Sequence, residues 1–257
     1  MNRLTSVTFW ILLGNLTSAQ VAAGEITLTQ TAPVIKAKTS LELSSSSIQR
    51  GKTLIDGPTV HPSIWAFTSF GLGVGVWGAA PLENRDGRNP VFYAQKQGEF
   101  VKVDSYLAYK FPQTEFVTVD MILAQYYYPQ DSLLKNPTMR DFITKIAGPF
   151  LLKPFVSIAY GLSSAIKRDY YIEAGVQEIL LQREPHSLSF NALTTYRRPD
   201  EETATKQAGV GHSLLALAYN YGGIRLTGSY IFKGRDEVIE VNEDTQYSSS
   251  LSYTTWF

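Results

Sequence analysis

The chain of 257 residues has no cysteine, only three histidines and no net charge. The missing cysteine excludes a disulfide framework, thiolate metal sites and a lipid-modified N-terminal Cys. The 23 basic residues balance the 23 acidic ones, so there is no basic excess of the kind that points to nucleic acid. No stretch reaches the roughly 20 consecutive apolar residues that a membrane helix needs. Mean hydropathy is -0.09. That average leaves room for a membrane barrel, whose lipid-facing and lumen-facing residues alternate. No His or carboxylate spacing matches a metal-ligand pattern, and no cofactor is implied.

Aromatic residues are plentiful: 12% of the chain, including 15 Tyr and 13 Phe. The run Tyr247 to Phe257 alternates in twos. Phe257, Thr255, Tyr253, Leu251, Ser249 and Tyr247 fall on one face, and Trp256, Thr254, Ser252, Ser250 and Ser248 on the other. Period 2 marks a strand with different surroundings on its two sides. A strand ending on Phe257, with Tyr253 and Leu251 on the same face, resembles the assembly signal of bacterial outer-membrane barrels. The barrel-assembly machinery is then an expected partner. At the other end, Arg3 precedes the short apolar run Val7 to Leu16 and the small residues that lead to Ala23. This order predicts a signal peptide over residues 1–23, with cleavage after Ala19 as the alternative. A barrel domain is expected over residues 24–257.

Twelve alternating runs follow, near 38–47, 60–68, 70–81, 99–111, 114–127, 140–147, 153–162, 168–180, 187–198, 211–221, 223–233 and 245–257. Most match the 9–11 residues, roughly, of a tilted membrane strand. The weakest, 140–147, could be part of a helix. Long and short connections largely alternate, as in outer-membrane barrels with tight periplasmic turns and long extracellular loops. The expected fold is all-β: a transmembrane antiparallel up-and-down barrel of about twelve strands. Its place would be the outer membrane of a Gram-negative bacterium, with membrane lipid as a partner.

Alternation assigns each strand two faces. Val101, Val103, Leu107, Tyr109 and Phe111 oppose Lys102, Asp104, Tyr106, Ala108 and Lys110. Val117, Val119, Met121 and Leu123 oppose Thr118, Asp120, Ile122 and Ala124. The charges share one parity, which should face the lumen, because a Lys or Arg facing lipid at mid-depth costs about 2–4 kcal/mol. Lys102, Asp104, Asp120, Glu173 and Arg225 are therefore expected to line a polar interior.

Four motifs go beyond pattern. They are Ile48-Gln-Arg50-Gly51, Gly73-Val-Gly75-Val76-Trp77-Gly78, Val103-Asp104-Ser-Tyr106-Leu-Ala-Tyr109 and Tyr126-Tyr-Tyr128-Pro129, with Pro62 between the first two. Their order resembles the Gram-negative outer-membrane family labelled Gcw_chp. The resemblance covers about a third of the chain and departs from the family pattern at Ala79, where Ser is usual, and in a long loop at 82–97. It implies a barrel and export, and no activity.

Other chemistry fits less well. His212-Ser213 and His186-Ser187 cannot form a dyad within one strand, because adjacent residues point to opposite faces. Each His is expected to be solvated or interfacial. Asp104 and Asp120 could serve as acid and base, but Lys102 and Lys110 share their face, so a charge network is the simpler reading. Gly73-x-Gly75-x-x-Gly78 has the letters of a dinucleotide fingerprint but no following helix. The glycines are better explained by close contact at a barrel wall. The expected function is non-enzymatic: a channel or binding pore for small polar solutes. A structural or surface-interaction barrel with a plugged lumen is the alternative, and a barrel enzyme is less favoured.

Overall fold

The computed structural model describes residues 35–50, 52–84, 95–130, 138–163, 168–200, 207–234 and 245–257. The expected signal peptide, residues 1–23, lies outside them. In chain order the strands are β1 (Ile35–Ser44), β2 (Ser47–Gln49), β3 (Lys52–Ile55), β4 (Thr59–Thr68), β5 (Leu72–Pro81), β6 (Lys102–Lys110) and β7 (Thr118–Tyr127). They continue as β8 (Thr138–Ala147), β9 (Phe155–Gly161), β10 (Tyr170–Arg183), β11 (His186–Arg198), β12 (Gly209–Tyr221), β13 (Ile224–Lys233) and β14 (Thr245–Trp256). β1 and β4 to β14 close one antiparallel barrel of twelve strands, in which β14 returns to pair with β1. β2 and β3 pair only with each other.

All twelve expected runs are strands of this barrel, and three details differ. The 140–147 run is strand β8, paired along its length with β7 and β9. Its inner face carries Ile143 as well as charge, which blurs the alternation that marks a strand. The first strand starts earlier and stops at Ser44, where Ser44 Oγ donates to the Ser46 carbonyl at 2.8 Å and the chain turns away. Val101, expected on the outer face, is fully buried. It precedes β6, donates its N–H to the Ala79 carbonyl at 2.9 Å, and packs with Leu54 and Ile55.

Burial is inverted relative to a water-soluble protein. Large apolar side chains such as Leu41, Ile64, Val76, Leu107, Leu123, Ile158, Leu217 and Leu251 are exposed on the outside. Lys38, Glu42, Lys102, Asp104, Asp120, Asp141, Lys145 and Glu173 are buried inside. Exposed aromatics flank the aliphatic band. Tyr109, Tyr219, Tyr221 and Tyr253 lie toward the short-turn end, and Tyr127, Tyr170, Tyr196 and Tyr247 toward the long-connection end.

Glycines fit the wall where bulk is excluded. Gly71, at φ +96°, sits in the β4–β5 turn, and a Cβ there would meet the Lys110 carbonyl at 2.2 Å. Gly75 lies opposite Trp65, and a Cβ would meet the indole at 2.4 Å. This glycine lets Trp65 lie flat on the inner wall.

The seam between β1 and β14 extends one residue past β14. Ala37 N–H donates to the Phe257 carbonyl at 3.2 Å and Phe257 N–H to the Ala37 carbonyl at 2.9 Å. Deleting Phe257 removes both bonds, each worth about 0.5–1.5 kcal/mol net, and an outward ring that is 75% exposed. The expected result is a lower yield of the compact, heat-modifiable form. Unchanged yield and gel mobility would show that the seam does not need this residue.

Candidate functional site

The interior is not an empty tube. The β2–β3 hairpin, part of the first long connection, folds into it. Ile48 packs with Phe155, Leu193, Leu214, Ala216 and Ile231 on the inner faces of β9 and β11 to β13. Leu54 and Ile55 pack with Trp65, Trp77, Tyr106, Ile122, Tyr126 and Tyr171 on the other side. Arg50, in the hairpin turn, forms an ion pair with Asp141 of β8. Its guanidinium lies 4.7 Å from the Tyr171 ring centroid and 5.5 Å from that of Tyr126. Burial works most strongly against the Arg50 charge, but Asp141, together with Tyr126 and Tyr171, more than offsets it, and the guanidinium pKa lies well above its ordinary value.

Beside the hairpin is a second ionic unit. Lys102 Nζ lies 2.6 Å from Asp104 Oδ2, with both side chains at 0% exposure. Tyr106 donates its hydroxyl to the same oxygen at 2.8 Å. Lys102 Nζ is also 4.4 Å from the Tyr126 ring centroid, 5.4 Å from Trp77 and 5.7 Å from Tyr128. An ammonium so placed is held by the ring quadrupoles and by the carboxylate. Trp65 stacks on Tyr106 at 5.2 Å, and His61 stacks on Trp77 at 5.0 Å. Arg50, Gly75, Trp77, Asp104, Tyr106, Tyr126 and Tyr128, from the four motifs set out above, meet in this one region.

A third unit lies toward the short-turn end. Register places Lys110 opposite Asp120 and Asp120 opposite Lys145. Asp120 interacts electrostatically with both lysines. Glu173 faces the fields of Arg50 and Lys145. On the inner faces of β4 to β10, with the hairpin, Arg50, Lys102, Lys110 and Lys145 are thus matched by Asp104, Asp120, Asp141 and Glu173.

The opposite wall differs in composition and in packing. Thr227, Ser229, Ser248, Ser250, Ser252, Thr254 and Ser40 lie along the inner faces of β13, β14 and β1, all half-buried. Arg225 stands among them, donating from Nε to Thr227 Oγ1 at 3.3 Å and from Nη1 to Asn220 Oδ1 at 3.4 Å. On the described inner faces of β11 to β14 and β1, Glu42 is the one carboxylate. The cations there are Lys36, Lys38, Arg197, Arg225 and Lys233, of which Arg197 pairs with Asp169 at 3.0 Å.

The five polar residues picked out by parity all lie on inner faces, but not together. Lys102 and Asp104 form one pair. Asp120 sits in the lysine row and Glu173 is near it. Arg225 is on the hydroxyl-lined wall. Phe257, Tyr253 and Leu251 are exposed on the outer face at the seam. Two histidines depart from expectation. His61 and His212 are buried, with Ser44 Oγ 2.9 Å from His61 Nε2 and Thr195 Oγ1 3.0 Å from His212 Nδ1. His186 is exposed against Tyr219 and Tyr221, as expected of an interfacial His. Among the described residues no three His, Asp or Glu side chains group as metal ligands.

Sequence pattern missed the hairpin and the pairing of its Arg50 with Asp141. A signal was present: Gly51 follows Arg50 between two short alternating stretches, the mark of a tight turn. Asp141 was hidden in the run with the weakest alternation.

No protein-family model and no curated protein matches the sequence. Among solved structures the chain is similar to the NanC porin, at 10% identity and a TM-score of 0.48, covering 87% of this chain and 100% of that one. It is also similar to OmpF of Salmonella typhi in complex with daunomycin, at 7% identity and a TM-score of 0.40, covering 87% and 97%. Likeness at this level transfers no activity.

Proposed function

We propose that this protein is a Gram-negative outer-membrane barrel that passes or binds small polar solutes along the hydroxyl-lined wall of β13, β14 and β1. The observation that carries the membrane reading is the inverted burial: an exposed aliphatic band between aromatic girdles around a charged interior. In water such a continuous apolar belt would drive aggregation. The partners follow: membrane lipid around the belt, the barrel-assembly machinery at the seam, and a polar solute inside. We place the chain with the Gcw_chp family on the four motifs, whose residues pack against one another.

The passage reading rests on the contrast between walls. Aromatic rings, with Leu54 and Ile55 of the hairpin, fill the β4 to β10 side and Ile48 reaches across to β11 to β13, while the hydroxyl side chains of β13, β14 and β1 are small and half-buried. Buried acceptors such as Asn191 Oδ1, Gln246 Oε1, Asp120 Oδ1 and Glu173 Oε1 have no hydrogen-bond partner among the described residues, and such groups call for water. The charged groups of the described interior are engaged in ion pairs and ring contacts rather than in a nucleophile–base arrangement, and the proposed role is non-enzymatic. Planar-bilayer recording of the purified, folded protein tests this, with small discrete conductance expected.

The hairpin favours a second reading, a structural barrel with a plugged lumen. Asp141→Asn discriminates. Breaking a buried ion pair costs about 3–5 kcal/mol. Arg50 keeps 28% exposure, which lowers the expected loss of hairpin docking to about 2–3 kcal/mol. Conductance should rise, with frequent switching between levels. A folded variant that records as wild type would show that the hairpin is not the barrier. Wild type and variant both silent would favour the plugged barrel.

A further inference from the structure

We infer that the hydroxyl-lined wall is an anion site, with Arg225 as the group that holds small carboxylate-bearing solutes. This rests on the channel reading above and adds the class of solute.

Charge is segregated inside the barrel. On the hairpin side, cations and carboxylates are matched within the packing. On the described inner faces of the hydroxyl-lined wall, the basic residues outnumber the carboxylate Glu42, and Arg225 carries the argument because the lysines there have interactions of their own. A wet passage beside an excess of fixed positive charge concentrates anions and depletes cations.

Arg225 turns this general field into a site. Its two hydrogen bonds are long, go to neutral acceptors, and leave Nη2 unused. Among the described residues no carboxylate lies within 4.0 Å of it, in contrast to Arg50 and Arg197. Lys38 repels it and Glu42 attracts it. A guanidinium flanked by a second cation and neutral hydroxyls presents a planar pair of N–H donors to a planar two-oxygen acceptor. Ser252 stands directly opposite Arg225 across the β13–β14 pair. Its hydroxyl, with that of Thr227, can donate to or accept from polar groups on the same solute. The ligand that fits is therefore a small, hydroxylated carboxylate.

The test combines conductance and binding in folded protein, with compact gel mobility confirming each variant's fold. Wild type in planar bilayers under a KCl gradient should reverse toward the chloride equilibrium potential. A unit charge about 4 Å from a wet path raises local monovalent anions and lowers local monovalent cations by about fivefold each, so Arg225→Gln should lower the anion-to-cation permeability ratio by about 25-fold. Saturation-transfer NMR with gluconate should show binding to wild type, little to Arg225→Gln, and a reduced signal for Arg225→Lys, which keeps charge but loses the fork. Cation preference in wild type, or a ratio and a gluconate signal both indifferent to Arg225→Gln, overturns the site and leaves the channel standing. A silent barrel that still binds gluconate through Arg225 removes the channel and keeps the site. A silent barrel that binds no gluconate removes both.

Discussion

Asp104→Asn is expected to lower barrel stability by about 3 kcal/mol. The substitution keeps shape and removes only the charge, so it isolates one term. Lys102 would keep its ammonium in a place with 0% exposure and, among the described residues, no other carboxylate within 4.0 Å. Breaking a fully buried pair costs about 3–5 kcal/mol. The Tyr126, Trp77 and Tyr128 rings around Lys102 Nζ retain part of its stabilisation, since a desolvated cation over aromatic faces is worth about 2 kcal/mol. That sets the loss at the lower end. Urea unfolding in detergent should show a lower midpoint with unchanged slope. The double substitution Lys102→Met with Asp104→Leu should recover only part of the loss, although replacing both charges by apolar groups of similar volume is often neutral in itself. Tyr106 would still lose its acceptor, so recovery should fall short by about 1–3 kcal/mol. A single variant as stable as wild type would mean that Lys102 gives up its proton or finds another partner.

The same pair shows how far alternation carries. Parity alone put Lys102, Asp104 and Tyr106 on one inner face, and they are there. Parity cannot say what stands across a lumen. Whether Asp104 faces water or a lysine depends on packing between strands far apart in the chain. Alternation treats the five polar residues as equivalent, yet only Arg225 lies on the half-buried, hydroxyl-rich wall. Four of the five lie on the side that the hairpin fills.

The barrel itself was legible because a membrane wall imposes one rule on every strand. Lipid outside and polar groups inside force a period of two, and tight turns alternate with long connections. The rule weakens where the interior is apolar. In β8 the inner Ile143 packs among the buried aromatics, so both faces carry apolar residues and the run reads ambiguously. It fails at the hairpin, which crosses no membrane. Ser47, Ile48 and Gln49 of β2 are all buried, as are Leu54 and Ile55 on opposite faces of β3, so these residues show no division between two solvents. The glycines of β5 show the reverse case. Their letters fit a nucleotide loop, while their place opposite Trp65 and Phe67 gives them a packing role that their position in a strand already implied.

The outer face provides the largest contrast between neighbouring substitutions. Leu123 is mid-strand in β7, points outward and is 42% exposed. Val119 points the same way but is the second residue of that strand, close to the short-turn end. A Lys or Arg facing lipid costs about 2–4 kcal/mol at mid-depth and about 0–1 near an interface. Leu123→Arg is therefore expected to destabilise folding into lipid vesicles by about 2–4 kcal/mol, and Val119→Arg by about 0–1. The depth dependence separates a membrane barrel from a water-soluble one. In water, both substitutions would place a charge on an exposed surface and both would be mild. Cysteine scanning gives an independent check, because the chain has no native cysteine. In vesicles, Cys at 121, 123 and 125 should resist a membrane-impermeant thiol reagent, and Cys at 116, before β7 begins, should react. Equal labelling along the whole outer face, together with equal cost for the two arginines, would remove the lipid from this surface and with it the membrane reading.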